Sequence, residues 1–228
     1  MIYDFMPVST VDYPGKIATT VFISGCNFRC PYCHNSSIVI NKKANLTDED
    51  ILRYLGRRKN LIDGVCISGG EPTLWDGLKS LMVKIKSSGF LIKLDTNGSR
   101  PEVVQELIEE KLVDYIAMDV KAPLDGYRNF LTQVRDIEKV NISVDIIKSS
   151  PVDYEFRTTV HPRLLSIEDI KRIGQWLKGA RKYVLQGYRY SDGVLNPALC
   201  GRQNCDKAYL QKARDEVVGY FDRVEIRL

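Results

Sequence analysis

Three cysteines fall on one short stretch, Cys26-Asn27-Phe28-Arg29-Cys30-Pro31-Tyr32-Cys33, at C-x3-C-x2-C spacing. Thiols gathered this closely read first as metal ligands. A four-iron four-sulfur cluster needs four ligands, so Cys26, Cys30 and Cys33 would bind three irons and leave the fourth open to a small molecule. Structural zinc also closes at four ligands. His34 is the obvious fourth donor for zinc, but adjacent residues seldom chelate one ion well. Buried structural thiols are the remaining reading.

The elements that must position this loop follow from periodicity and turn chemistry. Residues 17–24 (IATTVFIS) form a β-branched run stopped by Gly25, so the cysteine loop is expected to hang from the C-terminal end of a strand. Further strands are expected at 64–68, 90–95, 115–120, 155–160 and 182–186. Helices are expected after the Thr47 cap and at 75–88, 101–111, 137–149 and 166–178. Six strand–helix pairs in alternation predict an α/β fold, a partial (β/α)6 TIM-type barrel over residues 1–190. Residues 191–228, a polar loop through Cys205, a helix near 206–220 and the run 223–228, read as a C-terminal extension closing the same domain.

The expected strands end in residues for which a core has no use. Gly69-Gly70 brings bare backbone to the rim and Glu71-Pro72 follows. Asp95, Thr96 and Asn97 end the third strand, Asp119 and Lys121 the fourth, and Arg157 and His161 the fifth. Each has a bland alternative, such as an ordinary turn or a surface ion pair of little energetic weight. Their recurrence at the rim that bears the three-cysteine loop favours a site, because parallel α/β folds place their chemistry at strand C-termini. His34 and Asn35 either tune a cluster or shape the loop exit. Cys66 is expected in the core. Cys200 and Cys205, at C-x4-C spacing, are structural thiols, a redox or partner-docking pair, or half of a metal site.

The bulk properties fit a soluble globular domain: 228 residues, 44% hydrophobic and 27% charged, with net charge +4. No apolar run is long enough to span a bilayer and the start lacks a leader pattern. A cytoplasmic protein with reduced thiols is expected, with no membrane and no nucleic-acid partner.

With an aromatic before its last cysteine, the loop resembles the cluster motif of the radical S-adenosylmethionine (radical SAM) enzymes, and the likeness extends over residues 11–187. The resemblance implies a 4Fe-4S cluster on Cys26, Cys30 and Cys33, and S-adenosylmethionine bound at its open iron. It assigns Tyr32 to the adenine edge, Gly69, Gly70 and Glu71 to the methionine amino group, and Asp95, Thr96, Asp119 and Lys121 to the methionyl group. The two aspartates and the threonine can also collect a monovalent cation. Arg157 joins this cofactor-binding set from the fifth strand. Val11-Asp12-Tyr13-Pro14-Gly15 and Cys33-His34-Asn35 resemble the glycyl-radical-enzyme activating branch. That branch implies reductive cleavage to a 5'-deoxyadenosyl radical and abstraction of a glycine Cα hydrogen on a partner glycyl radical enzyme of the anaerobic ribonucleotide reductase type. A flavodoxin- or ferredoxin-type donor would supply the electron. The alternatives are a radical SAM enzyme acting on a small molecule or nucleotide, and an iron–sulfur electron carrier.

Overall fold

The structure is a computed structural model that describes residues 1–40, 44–129 and 136–228. Among the described residues, eight strands and eight α-helices follow in the order β1 (Ile2–Ser9), β2 (Ala18–Ile23), α1 (Ser36–Ile40), α2 (Asp48–Gly56), β3 (Gly64–Gly69), α3 (Leu78–Ser87), β4 (Leu91–Thr96), α4 (Pro101–Glu109), β5 (Tyr115–Asp119), α5 (Asp136–Ser149), β6 (Asp153–Val160), α6 (Ile167–Trp176), β7 (Lys182–Gly187), α7 (Pro197–Cys200), α8 (Lys207–Val217) and β8 (Arg223–Arg227). The strands make one sheet in sequence order, with β1 antiparallel to β2 and every later pair parallel. This is the partial barrel that the alternation predicts.

Local chemistry sets the boundaries. Thr47 and Ser166 each close a capping box, with Asp50 and Asp169 respectively, fixing where α2 and α6 begin. Proline starts α4. The expected helix at 75–88 begins late: Pro72–Leu74, just before it, is one 3-10 turn capped by the Glu71 side chain, and α3 starts only at Leu78.

Two differences from the sequence reading concern the sheet edges. β1 is a strand that periodicity misses, because Pro7 and register shifts between Ile2 and Asp4 and between Met6 and Ser9 break its alternation; edge strands tolerate both features. The run near the C-terminus is not merely an extension. It forms β8, in parallel register with β7 from Lys182↔Arg223 to Gln186↔Arg227, so the parallel set numbers seven strands. Among the described residues no helix is long and apolar enough to cross a membrane.

Alternation along the strands gives the sheet two unlike faces. Val21, Ile67, Ile92, Leu94, Ile116, Met118 and Phe156 are buried on the helix-covered face. The inner face carries charge instead. Fully buried Glu155 accepts two bonds from Arg227, at 2.8 Å each, and is paired with Lys182 at 3.0 Å. Tyr115 Oη donates to the same carboxylate at 3.0 Å. Burial works to raise Glu155, but Arg227 and the neighbouring cations outweigh it and hold the carboxyl at about 2, against 4.5 for an unperturbed glutamate.

A carboxyl depressed in the fold contributes stability that is complete above its unfolded value and lost as pH falls through its folded value. Arg227→Ala is therefore expected to lower the unfolding free energy by about 2 kcal/mol at neutral pH, less than for a fully buried pair because Lys182 and Tyr115 remain. The gap should narrow as pH falls from 4.5 towards about 2. Urea titrations of both proteins across that range measure it.

Candidate active site

The cysteine loop leaves β2 at Ile23 and is stitched to the end of β3 through backbone. Gly70 N donates to Ile23 O at 2.8 Å and Glu71 N to Gly25 O at 2.9 Å. The approach is so close that a Cβ on Gly70 would collide with the Gly25 carbonyl, and one on Gly69, whose φ is +116°, would collide with Ile23 backbone. Only glycine serves at either position.

Glu71 extends the stitching. Its carboxylate accepts from Thr73 N (3.2 Å), Thr73 Oγ1 (2.5 Å), Thr96 Oγ1 (2.7 Å) and Asn97 N (2.6 Å), tying the end of β3 to the end of β4. Burial raises its pKa despite these four donors. Asn97 returns to the cysteine loop, its Nδ2 donating to Asn27 Oδ1 at 3.0 Å and lying 3.8 Å from Cys26 Sγ.

A cavity of about 300 Å³ opens above these loops. Cys26, Cys30, Tyr32 and Cys33 line one side, and Gly69, Gly70, Asp95, Thr96, Asp119 and Lys121 line the strand ends. Two expected residues lie outside this lining. The Glu71 carboxylate is taken up between loops, so that residue offers a ligand its backbone at most. Arg157 sits behind the rim, its Nε 3.0 Å from Asp119 Oδ1 and its Nη1 3.5 Å from Asp95 Oδ1.

The rim is an alternating ion chain. Asp95 accepts from Lys93 and from Ser68 Oγ (2.8 Å), and Asp119 pairs with Lys121 Nζ at 3.0 Å. Burial works to raise Asp119, yet Arg157 and Lys121 win and hold it at about 2. A monovalent cation between the two aspartates would have to displace side-chain cations already there.

The lining also contains residues outside the expected site set: Phe28, Val39, Ser68, Thr159 and Gln186. Thr159 and Gln186 are register partners on β6 and β7, and their side chains make no hydrogen bond among the described residues. The signal for Thr159 was available, since it stands two residues beyond Arg157 on the same strand face. Gln186 closes an expected strand and looks like any polar strand end.

The thiols fit an iron–sulfur cluster on their chemistry. Burial pushes Cys26 up to about 11 and Cys30 up to about 12, so their thiolates need cationic metal to persist in that setting. Phe28 N already donates to Cys26 Sγ at 3.3 Å. Among the described residues no three His, Cys, Asp or Glu side chains converge as one ion demands, whereas a cluster distributes its ligands over separate irons. His34 bonds the Arg189 carbonyl through Nε2 and its ring stacks on Tyr188 at 5.8 Å, which leaves Nδ1 as its one ring nitrogen for a ligand.

The remaining candidates are structural. Buried His161 accepts from Arg163 N at Nδ1 and therefore donates from Nε2 to Cys200 O at 3.1 Å. Cys66 is in the core, 3.5 Å from Lys93 Nζ. Cys200 and Cys205 are buried free thiols away from the cavity.

The radical SAM superfamily profile matches residues 20–162. A candidate glycyl-radical enzyme activating enzyme of Methanocaldococcus jannaschii is 37% identical over 197 residues, covering 84% of this chain and 81% of the relative. The pyruvate formate-lyase-activating enzyme of Clostridium pasteurianum is 30% identical over 196 residues, covering 79% and 77% respectively. Among solved structures, Streptococcus suis SuiB bound to precursor peptide SuiA superimposes with a TM-score of 0.69 at 16% identity, over 92% of this chain and 48% of that one. The chain thus spans about half the length of that solved protein, and the likeness is one of fold.

Gly70→Ala tests the seating of the loop. The added methyl must displace Gly25, so the variant is expected to keep its secondary structure by circular dichroism while iron and sulfide per chain after anaerobic reconstitution fall by more than about half.

Proposed function

The chain belongs to the radical SAM superfamily, and from that premise we propose that it is an activating enzyme that installs a glycyl radical on a partner enzyme, of the anaerobic ribonucleotide reductase type. The observation that carries this reading is that three cysteines line one cavity together with a rim of paired charges and bare glycine backbone. The family uses a 4Fe-4S cluster with S-adenosylmethionine; reduced, it would cleave the sulfonium to methionine and a 5'-deoxyadenosyl radical.

In this reading Cys26, Cys30 and Cys33 hold the cluster. Gly69 and Gly70 offer backbone carbonyls to the cofactor's ammonium, and Lys121 faces its carboxylate across from Asp119 and Asp95. Thr96 and Tyr32 complete the contacts. Arg157, from behind, fixes both aspartates as anions so that they orient the ligand without taking its proton. A glycine Cα has no side chain to clear, so an extended loop of a larger protein could reach in.

The relatives named for glycyl-radical activation support the branch. The ribonucleotide reductase partner and a flavodoxin- or ferredoxin-type donor rest on the sequence resemblance. A second reading, a small molecule or nucleotide as substrate, is favoured by Asn35, Thr159 and Gln186, which face the cavity without side-chain hydrogen bonds among the described residues.

Reduced, reconstituted protein should release 5'-deoxyadenosine from S-adenosylmethionine, with a glycyl radical signal by electron paramagnetic resonance when a glycyl radical enzyme from the same source is present. Product without that signal moves the substrate to small molecules. No product from an intact reduced cluster leaves the electron carrier. Cys30→Ala should abolish cleavage. Lys121→Ala should weaken S-adenosylmethionine binding about tenfold, the loss of one charge-assisted contact, with iron content unchanged.

A further inference from the structure

Cys26 borders two cavities. The first is the active-site cavity. The second, of about 320 Å³, opens on the other side of the loop and is lined by Ser24, Gly25, Asn27, Arg29, Leu74 and Trp75, with Met1 at its edge. Cys26 is the one residue that both linings share. One proposed cluster ligand is thus reached from the second cavity as well as from the first.

We propose that this second cavity is the electron-input face, where a small acidic one-electron carrier protein bearing a flavin or an iron–sulfur centre docks. The inference rests on the proposed function only in requiring a reducible cluster on Cys26, Cys30 and Cys33. In the step itself the carrier is oxidised by one electron and the cluster reduced by one, with no proton or bond transferred. The first cavity is committed to cofactor and substrate, so an electron must arrive by another route, and the second cavity leads to Cys26.

The chemistry of the rim specifies the partner. Arg29 is exposed, and its guanidinium donates to the carbonyls of Cys26 and Phe28 at 2.8 Å each. A partner carboxylate on Arg29 is thereby brought beside the backbone of the cluster ligand. Trp75, partly exposed, supplies an aromatic wall, and Trp with Arg is the composition that anchors protein interfaces. The chain's net charge of +4 favours an anionic partner at long range. Asp76, exposed and next to Trp75, is the adjoining charge that opposes such a partner.

That opposition provides a test in two directions. The probe is flavodoxin hydroquinone, mixed anaerobically with the reconstituted protein in a stopped-flow instrument at several ionic strengths, and cluster reduction is followed by absorbance. Affinity for oxidised flavodoxin is measured by calorimetry. Arg29→Glu is expected to slow reduction about tenfold and flatten its salt dependence, while Asp76→Lys accelerates reduction several-fold at low salt and tightens binding. Reduction by dithionite, which needs no docking, should be unchanged in Asp76→Lys. Arg57→Glu, an exposed charge following α2 and thus at the opposite end of the strands, should match the parent.

Because Arg29 also holds loop carbonyls, its variant could lose the cluster. Asp76→Lys touches no such bond, and a gain of rate and affinity is not what structural damage produces. The proposal is overturned if Asp76→Lys reduces and binds no better than the parent, or if Arg57→Glu is the variant that slows reduction. No glycyl radical is read in this experiment, so failure of the activase reading would leave its result standing.

Discussion

The cavity depends on a closed ring of hydrogen bonds running through three loops. Gly25 O receives Glu71 N, the Glu71 carboxylate receives Asn97 N, and Asn97 Nδ2 returns to Asn27 and the Cys26 sulfur. The first two links join the ends of neighbouring strands, β2 to β3 and β3 to β4, and the third spans from the end of β4 back to the loop after β2. The cysteine loop, which has little regular structure of its own, is thereby held to the rigid sheet at both its start and its first ligand. The ring also accounts for the cost of a buried carboxylate. Removed from water, Glu71 is tolerable only with its acceptor capacity filled, and its two oxygens take four donors.

A second constraint is the charge inside the sheet. Lys93, Lys121 and Arg157 stand against Asp95 and Asp119 at the rim, one cation in excess. Arg157 touches both aspartates, so neither can be neutralised without cost to the other. An excess of positive charge in a site partly withdrawn from water attracts a ligand carboxylate more than another metal cation. The deeper layer of Glu155, Lys182, Glu225 and Arg227 contains its own balance and pins the edge strand β8 to β6 and β7. Ion pairing here does the work that apolar packing does on the other face, with the desolvation penalty offset by multiple partners for each carboxylate.

Much of this was legible in the sequence, and the exceptions have physical causes. Short, continuously buried runs stopped by glycine, aspartate or lysine announce themselves, which is why β2 to β7 fell where expected. β1 contains Pro7 and a bulge, features that belong to an edge and erase the period that identifies a strand. β8 is short and half-exposed, and only pairing with β7 distinguishes it from a tail. Ten of the expected site residues line the cavity. Glu71 and Arg157 lie just outside, because sequence places a residue at a strand end without revealing whether its charge faces a ligand or a neighbouring loop. Ser68 and Gln186 were hidden for the converse reason, as small or neutral polar residues inside strands carry no signal of the space above them, whereas Thr159 could have been read from its place two residues beyond Arg157.

The C-terminal segment illustrates what spacing alone cannot show. For Cys200 and Cys205 the spacing left open structural thiols, a redox or partner-docking pair, and half of a metal site; both thiols are buried, and burial pushes Cys205 up to about 11, which suppresses the reactive thiolate. Their backbone is what counts locally: Cys200 O accepts from His161 and Cys205 N donates to Tyr188 O at 2.8 Å. Tyr188 in turn lies between His161, at 4.3 Å, and His34. Between these anchors, Leu195 N donates to Cys33 O and Asn196 N to Pro31 O, at 3.0 and 2.9 Å. The segment is thus a strap bonded to the later part of the cysteine loop, at Pro31 and Cys33, while Gly70 and Glu71 hold its start. A loop fixed by backbone at both ends keeps its sulfurs in place whether or not a ligand fills the cavity. That preorganisation lets a site built on eight residues of irregular chain hold a large inorganic group without refolding around it.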